Sequence, residues 1–424
     1  MKQLSAAILD AQVTFRLRPF RVPLVLSSGP ITEITEAQAQ VRVRVGDQEG
    51  AGRGVIYLSD LWAWPHPDLS HAHRDSRMRQ VCEQIAADLH ALCGDEPQHP
   101  LELGLRLQQS VHQLPLPDDP PPLARSVCLS PFDAAIHDAV GQALNRSAFA
   151  LYDDNPPLPS ADALFPGGGA AKAIAQALRP PLPALTAWLV VGTTEPLDSM
   201  RFWIEERGYH AFKLKISGKN SVTDVTRTIE VYREAQSFGV RAPRLCVDSN
   251  CANPDADSVK DYLLRLQAEA PEVYDALEYL EQPTGRDIAV HACDWRSVTP
   301  MKPVILDEGL TAFDQMPLAR QQGWSGFAIK TCKGHSFSLV AAAWARRHDL
   351  LLAQQDLTNP GLSAIHSFLM AARLHPFNGI ELNSPQYTPD ANHDWLPRLA
   401  PLFEPSDGFH RLPGDPPAGL GTTL

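Results

Sequence analysis

From residue 185 onward, short apolar runs that read as strands alternate with runs of helical periodicity, and this alternation leaves few folds open. Strand-like runs fall near 187–191, 211–216, 244–248, 276–281, 303–307, 326–330, 350–354 and 378–382. Helical patterns fill the gaps, as at 223–236, 256–269, 312–322, 336–347 and 360–373. Eight strand–helix units over roughly 200 residues predict an α/β architecture, a (β/α)8 TIM-type barrel. A doubly wound open sheet usually has fewer strands and often a glycine-rich phosphate turn, and no G-x-G-x-x-G follows a strand here.

The N-terminal third has a different texture. Residues 12–57 predict strands: Val41–Arg42–Val43–Arg44–Val45 alternates strictly, and Gly46–Asp47 and Glu49–Gly50 supply turn chemistry. Val22 to Ile34, with Ser27–Ser28–Gly29–Pro30 at its tip, predicts a loop between two antiparallel strands. Helices are expected at 76–94, around 100–113 and at 124–146. In the last, Ser130 reads as N-cap and Pro131 as first turn, followed by Phe132, Ala135, Ile136, Ala139, Val140 and Ala143 at helical spacing. Strands followed by helices give an α+β domain over 1–150. Prolines and Gly167–Gly168–Gly169 punctuate 151–184, which predicts a linker or surface insertion, and the barrel would occupy 185–399.

Composition narrows the function. A formal net charge of −12 argues against nucleic acid or an anionic membrane as partner, although a local cationic pocket remains compatible with it. The seven cysteines are scattered without CxxC spacing, so neither a structural zinc site nor a disulfide framework is expected, and a reducing cytoplasm fits. The first residues lack a signal-peptide core, and no apolar run is long enough to span a bilayer.

In such a barrel, chemistry sits at the carboxyl ends of the strands. Strand two carries Lys213 and Lys215 on one face, opposite Phe212, Leu214 and Ile216. Strands three, four and five end in Asp248, Glu281 and Asp307, and strand six ends in Lys330. Three converging carboxylates repel one another unless a cation fills the site. Hard oxygen donors without histidine or cysteine suit Mg²⁺ rather than zinc. Lys215 and Lys330 would face each other across the mouth, on either side of the α-carbon of a metal-bound carboxylate. A lysine base needs a depressed pKa, which Mg²⁺ and a second ammonium would provide.

This series resembles the enolase superfamily, in its muconate-lactonising branch. The resemblance rests on Phe212–Lys213–Leu214–Lys215, Val247–Asp248–Ser249–Asn250, Leu280–Glu281–Gln282–Pro283, Leu306–Asp307–Glu308 and Ile329–Lys330–Thr331–Cys332–Lys333–Gly334. Ser130 to Asp138 is similar to the helix preceding that family's barrel, and Ala418–Gly419–Leu420–Gly421 to a tail, about 400–424, that returns to the capping domain. The resemblance implies one Mg²⁺ per subunit on Asp248, Glu281 and Asp307, and Lys215 and Lys330 as acid and base on opposite faces. Lys213 would tune Lys215 and grip the substrate carboxylate, while Asn250 and Glu308 would orient a ligand or a lysine. It further implies a small carboxylate substrate, a homo-oligomer, and lids near Leu24–Ile31 and Val55–Leu58 with an apolar cover of Val25, Leu26, Ile56 and Tyr57.

The expected reaction is abstraction of the proton α to a carboxylate, giving racemisation, epimerisation or cycloisomerisation. β-Elimination, as in o-succinylbenzoate synthesis or acid-sugar dehydration, and a non-catalytic barrel that binds an acidic metabolite are the alternatives. Asp356 after strand seven could reach the site or cap the next helix. Asn383, Ser384 and Gln386 after strand eight could contact substrate. His335 stands where the family usually has a second glycine; it could narrow the mouth or face solvent at a helix start. Trp62 and Trp64 are expected to pack in the interior.

Overall fold

The computed structural model describes residues 4–26, 29–356, 359–412 and 414–424, apart from the side chains of Val25, Leu26 and Asp154. Three antiparallel strands, Ala7–Leu26, Gly29–Val45 and Gln48–Tyr57, lie in sequential order. The expected loop Val22–Ile34 is largely strand: Leu24 pairs with Ile31 and Val25 with Pro30, after a register shift that begins at Pro19. Ser27 and Ser28 lie outside the described residues.

The long helix Pro122–Leu144 lies flat on the third strand, and glycine spacing is the reason. Gly50, Gly52 and Gly54 share one face, because alternate residues of a strand point the same way. A Cβ on Gly52 would come within 2.2 Å of the Ala139 backbone N, and one on Gly54 within 1.9 Å of the Pro131 O. Only hydrogen at these positions lets the helix backbone touch the strand backbone. The helix starts at Pro122, eight residues before the expected N-cap. Ser130 is interior, where its hydroxyl donates back to the Val127 carbonyl at 2.9 Å, and Pro131 sits inside the helix. The Ser–Pro pair mimicked a start signal, but the burial of nearly the whole helix carries it through.

Seven parallel strands follow: Trp188–Val191, Ala211–Lys215, Arg244–Asp248, Leu277–Glu281, Val304–Leu306, Gly326–Ile329 and Leu351–Gln354. The expected eighth strand is reduced to two parallel bridges, Ile380 to Ala187 and Glu381 to Gln355. They join the first and seventh strands and close the sheet. Inside, Trp188, Ala211, Cys246, Tyr279, Ile305, Ala328 and Ala353 form an apolar plug, one residue from each strand. Outside, residues such as Phe212 and Leu214 pack under the helices.

The segment 151–184, expected as linker or surface insertion, is packed instead. Its helix Ala170–Ala177 lies against the barrel helix His335–Arg347, with Phe165, Ala170 and Ile174 buried. Helix His335–Arg347 also docks on the N-terminal helix: Asp133 accepts from the Ser336 N–H and hydroxyl, both at 2.8 Å. His335 is 1% exposed, neither in solvent nor lining the mouth. It meets the Tyr152 hydroxyl at 2.9 Å, which also meets His137 at 2.8 Å. At the end of the chain, Asp138 accepts from the N–H groups of Leu420 and Arg53 and the Thr422 hydroxyl. The tail therefore touches the N-terminal region.

Gly52→Ala should destabilise the protein by about 1–3 kcal/mol or more, since the added methyl meets backbone that cannot swing aside. A thermal melt checks this; an unchanged Tm would show that helix and strand can separate freely.

Candidate active site

Strand periodicity builds the site directly on the plug. Two residues further along each strand, side chains again point inward. Those residues are Val190, Lys213, Asp248, Glu281, Asp307, Lys330 and Gln355. Lys215 stands one layer higher. Register aligns Lys215 with Asp248 and Asp248 with Glu281, so the charged side chains form neighbouring rows.

Their contacts form one ion-pair web. Lys213 Nζ lies 2.8 Å from Glu281, 2.9 Å from Glu381 and 3.3 Å from Asp248. Lys215 Nζ is 2.5 Å from Asp248. Lys330 Nζ is 2.7 Å from Asp307 and 3.9 Å from Glu281. Lys333 Nζ donates to the Asp307 carbonyl at 2.6 Å and its carboxylate at 3.0 Å. All these groups are buried. Asn250 Nδ2 bridges Asp248 at 3.2 Å and Glu308 at 3.1 Å, and Glu308 also accepts from Trp62 Nε1 at 3.0 Å. Gln282 Oε1 accepts from the Asp307 and Gly309 N–H groups and so fixes the backbone that carries Asp307.

Burial and charge set the protonation states. Burial pushes the Glu281 carboxyl up to about 8: Lys213 opposes this, while Asp248 and Asp307 reinforce it. Burial also penalises charge on Asp307 and Asp248, but Lys330 and Lys333 around the first, and Lys215 and Lys213 around the second, outweigh it and hold both below the usual carboxylate range. Burial disfavours the Lys330 ammonium as well, yet Asp307 and Glu281 raise its pKa well above the usual value, and Lys213 is raised in the same way. For Lys330 the expected depression of basicity is thus reversed: the neighbouring carboxylates hold its ammonium form.

Over this web lies a cavity of about 40 Å³. Its outer wall is Phe20, Leu24, Ile31 and Ile34 from the first two strands, with Trp62 and Val190. Its inner wall includes Lys213, Lys215, Lys330, Asp356, Glu381 and Asn383. The N-terminal sheet therefore supplies the lid, as expected near Leu24–Ile31. Ile56 and Tyr57 are buried but do not line the cavity, and the Val25 and Leu26 side chains lie outside the description. Trp62 is buried as expected but also works at the site, its ring centroid 4.8 Å from Lys330 Nζ. Asp356 lines the cavity rather than capping the next helix, which begins at Gly361. Gln386 bonds both backbone groups of Val190, Ser384 accepts from Asn392, and neither lines the cavity.

The sequence reading missed Glu381, Gln355 and Lys333. Glu381 accepts from Asn383 Nδ2 at 2.6 Å, and Gln355 donates to Glu281. The same end-of-strand rule, applied to strands seven and eight, points to Gln355 and Glu381.

A family model for the enolase C-terminal domain-like family matches residues 197–424. The chain belongs to the enolase superfamily. It is an enzyme of that superfamily, in the range of isomerases and lyases. Its fold is similar to the muconate lactonizing enzyme of Pseudomonas fluorescens in complex with muconolactone, at 20% identity and a TM-score of 0.64, covering 98% of this chain and 96% of that one. An enolase from Bradyrhizobium, complexed with magnesium and mandelic acid, aligns at 15% identity and TM-score 0.64 over the same shares. A dipeptide epimerase from Enterococcus faecalis, complexed with Mg and L-Leu-L-Tyr, aligns at 14% and 0.65, covering 98% and 99%. No curated protein matches by sequence. These likenesses carry the fold; the chemistry of this superfamily member rests on its own residues. Among the described residues no helix is long and apolar enough to cross a membrane.

Glu281 gives a pH test. Its carboxyl is raised in the folded state, so the stability it contributes is full below 4.5 and lost as pH rises through about 8. Glu281→Gln mimics the protonated form at every pH. With chelator present, its Tm should gain on that of the wild type as pH rises from about 5 to about 9. A constant offset between the two melting curves contradicts the assignment.

Proposed function

We infer that this enzyme removes the proton α to a substrate carboxylate, with Mg²⁺ as cofactor and Lys215 and Lys330 as the proton-transfer pair. The observation that carries the reading is the ion-pair web: ammonium groups flank a row of carboxylates beneath a closed apolar lid.

Asp248, Glu281 and Asp307 fit Mg²⁺ chemically. They are hard oxygen donors on neighbouring strand ends, and they are held by second partners as ligands need to be. Glu308 Oε2 beside them is buried without a hydrogen-bond partner among the described residues. Among those residues no three acids or histidines stand ready-spaced as a cage, because the lysines neutralise the carboxylates directly. When bound, Mg²⁺ would neutralise these carboxylates and the negative charge that grows on the substrate carboxylate.

The chain's own groups do the rest. Freed from Asp307, Lys330 would lose the attraction that holds it protonated and could then accept a proton; Lys215, which lines the same cavity, would be its partner in proton transfer. Both line the cavity, so one can take the α-proton and the other return it. That favours racemisation or epimerisation. Cycloisomerisation needs only one of them: a second carboxylate oxygen of the substrate adds at the β-carbon to form the enolate and one lysine delivers the proton to the α-carbon, or, in reverse, one lysine removes that proton and the C–O bond breaks. Lys213, tied to Glu281 and Glu381, stays charged and holds the substrate carboxylate. The lid excludes water, which strengthens each of these interactions. Trp62 holds Glu308 in place and presents its ring face to Lys330. The reading extends to a cytoplasmic homo-oligomer: the scattered cysteines support the compartment, and exposed Leu17 on the first strand supports a contact between copies.

Incubation in D₂O with Mg²⁺ and a set of carboxylates should put deuterium at an α-carbon. Lys330→Ala and Lys215→Ala should each slow that exchange by about 10²–10⁴-fold while leaving a cooperative melt. Exchange that survives both substitutions, or that ignores EDTA, contradicts the mechanism.

A further inference from the structure

The N-terminal sheet has two faces of opposite character. Gly50, Gly52 and Gly54 turn one face to helix Pro122–Leu144. The other face carries Thr14, Arg16 and Arg18 on the first strand, Glu36 and Gln38 on the second, and Arg53 on the third. It looks toward the start of helix Gly361–Leu374 and the segment 391–398, and the two walls enclose a groove of about 380 Å³. On the wall opposite the sheet, Leu362, Ala391 and Trp395 offer apolar surface. Packing alone would set apolar side chains against them. The sheet presents arginine, glutamine and threonine instead, around a cavity of small-molecule size. The groove shares no lining residue with the cavity over the lysines.

Charge sharpens the argument. Four guanidinium groups line the groove, Arg16, Arg18 and Arg53 from the sheet and Arg398 from the opposite wall. Arg18 is taken: it pairs with buried Glu36 at 2.7 Å. The guanidinium groups of Arg16, Arg53 and Arg398 have no carboxylate partner among the described residues, and Arg398 lies over the Trp395 ring, 5.7 Å from its centroid. Asp394 is the other acid of the lining, so four cations face two carboxylates and the formal balance is two positive charges. In a chain of net charge −12 this is a local reversal of sign. Helix Gly361–Leu374 adds the positive end of its dipole, because its N-cap, Pro360, supplies no side-chain cap. Guanidinium forks match the oxygens of carboxylates and phosphates. Three of them without a carboxylate repel one another until an anion sits between.

We propose that this groove is a binding site for a small organic dianion, a dicarboxylate or a phosphate monoester, held between the two walls by Arg16, Arg53 and Arg398. Two negative charges cancel the local excess, whereas a monoanion leaves one positive charge over. Arg18 and Glu36 stand two residues from Phe20 and Ile34 of the lid along the same strands, so the ligand braces the strands that cover the active site. The site does not rest on the proton-abstraction reading, and either can fail without the other.

The test is titration calorimetry of the full chain with three probes at equal, low ionic strength: sn-glycerol 3-phosphate, succinate and acetate. The better dianion should bind about tenfold more tightly than acetate, the scale of one added hydrogen bond to a charged group. Its identity distinguishes a phosphate ligand from a dicarboxylate. Affinity should fall as salt is added, because the arginines are exposed and screened. Arg16→Gln and Arg398→Gln, both at exposed positions where the fold tolerates change, should each weaken dianion binding by about tenfold. Asp307→Asn in the barrel mouth should leave it unchanged, which separates this groove from the lysine site. The bound dianion should also raise the Tm of the wild type and leave that of the doubly substituted Arg16→Gln, Arg398→Gln protein where it was. Four results overturn the proposal: no dianion binding at millimolar concentration, equal affinity for acetate, a Tm that saturating dianion does not move, or binding that Asp307→Asn abolishes and the arginine variants leave intact. So does an oligomer that Arg398→Gln dissociates without any anion binding, which gives the groove to a second copy of the chain.

Discussion

The structure depends on the mutual neutralisation of lysines and carboxylates inside the barrel mouth. Buried charges are expensive: an unpaired one costs several kcal/mol, and even a good pair roughly breaks even against apolar packing. This protein buries Lys213, Lys215, Lys330 and Lys333 with Asp248, Glu281, Asp307 and Glu381, and each ammonium touches at least one carboxylate. Packing alone would be better served by more of the apolar plug one layer below. The web fits the proposed function, in which a cation on the carboxylates would release the lysines.

The surrounding architecture keeps that device dry and aimed. The glycine stripe at Gly50, Gly52 and Gly54 brings helix Pro122–Leu144 onto the N-terminal sheet. Asp133 on the same helix holds Ser336 at the start of the helix that follows Lys330. The sheet's first two strands then reach over the mouth with Phe20, Leu24, Ile31 and Ile34. Trp62, one side chain from the lid side, contacts both Glu308 and Lys330. The lid side is thus tied to the charged layer.

The row of inward charged side chains was legible because it follows from period two. Once the barrel strands are placed, Lys213, Asp248, Glu281, Asp307 and Lys330 must point inward on one level, and their order along the chain gives their order around the mouth. Glu381 falls within the run 378–382 expected as strand eight, but only two bridges form there, so which of its residues points inward was harder to place. Trp62 and Gln355 were missed as site groups for a different reason: a tryptophan after a strand and a glutamine between Gln354 and Asp356 look like ordinary filling until tertiary contacts assign them. Ser130–Pro131 misled because a local start signal was overridden by burial along the helix. The Pro- and Gly-rich stretch 151–184 reads as a linker by composition, yet Phe165 and Ile174 find apolar partners on a distant barrel helix. Proton affinities cannot be read from sequence, since they depend on which carboxylate lies next to which ammonium.

We infer that the carboxylates hold a cation and the lysines carry the proton. Calorimetric titration of Mg²⁺ into chelator-stripped protein near pH 7, repeated in buffers of different ionisation enthalpy, tests it most directly. Glu281 is held protonated up to about 8 in the metal-free protein, so binding should occur at one site with release of about one proton, and Asp307→Asn should abolish it. Absence of binding at millimolar Mg²⁺, or binding unchanged by Asp307→Asn, would contradict the account.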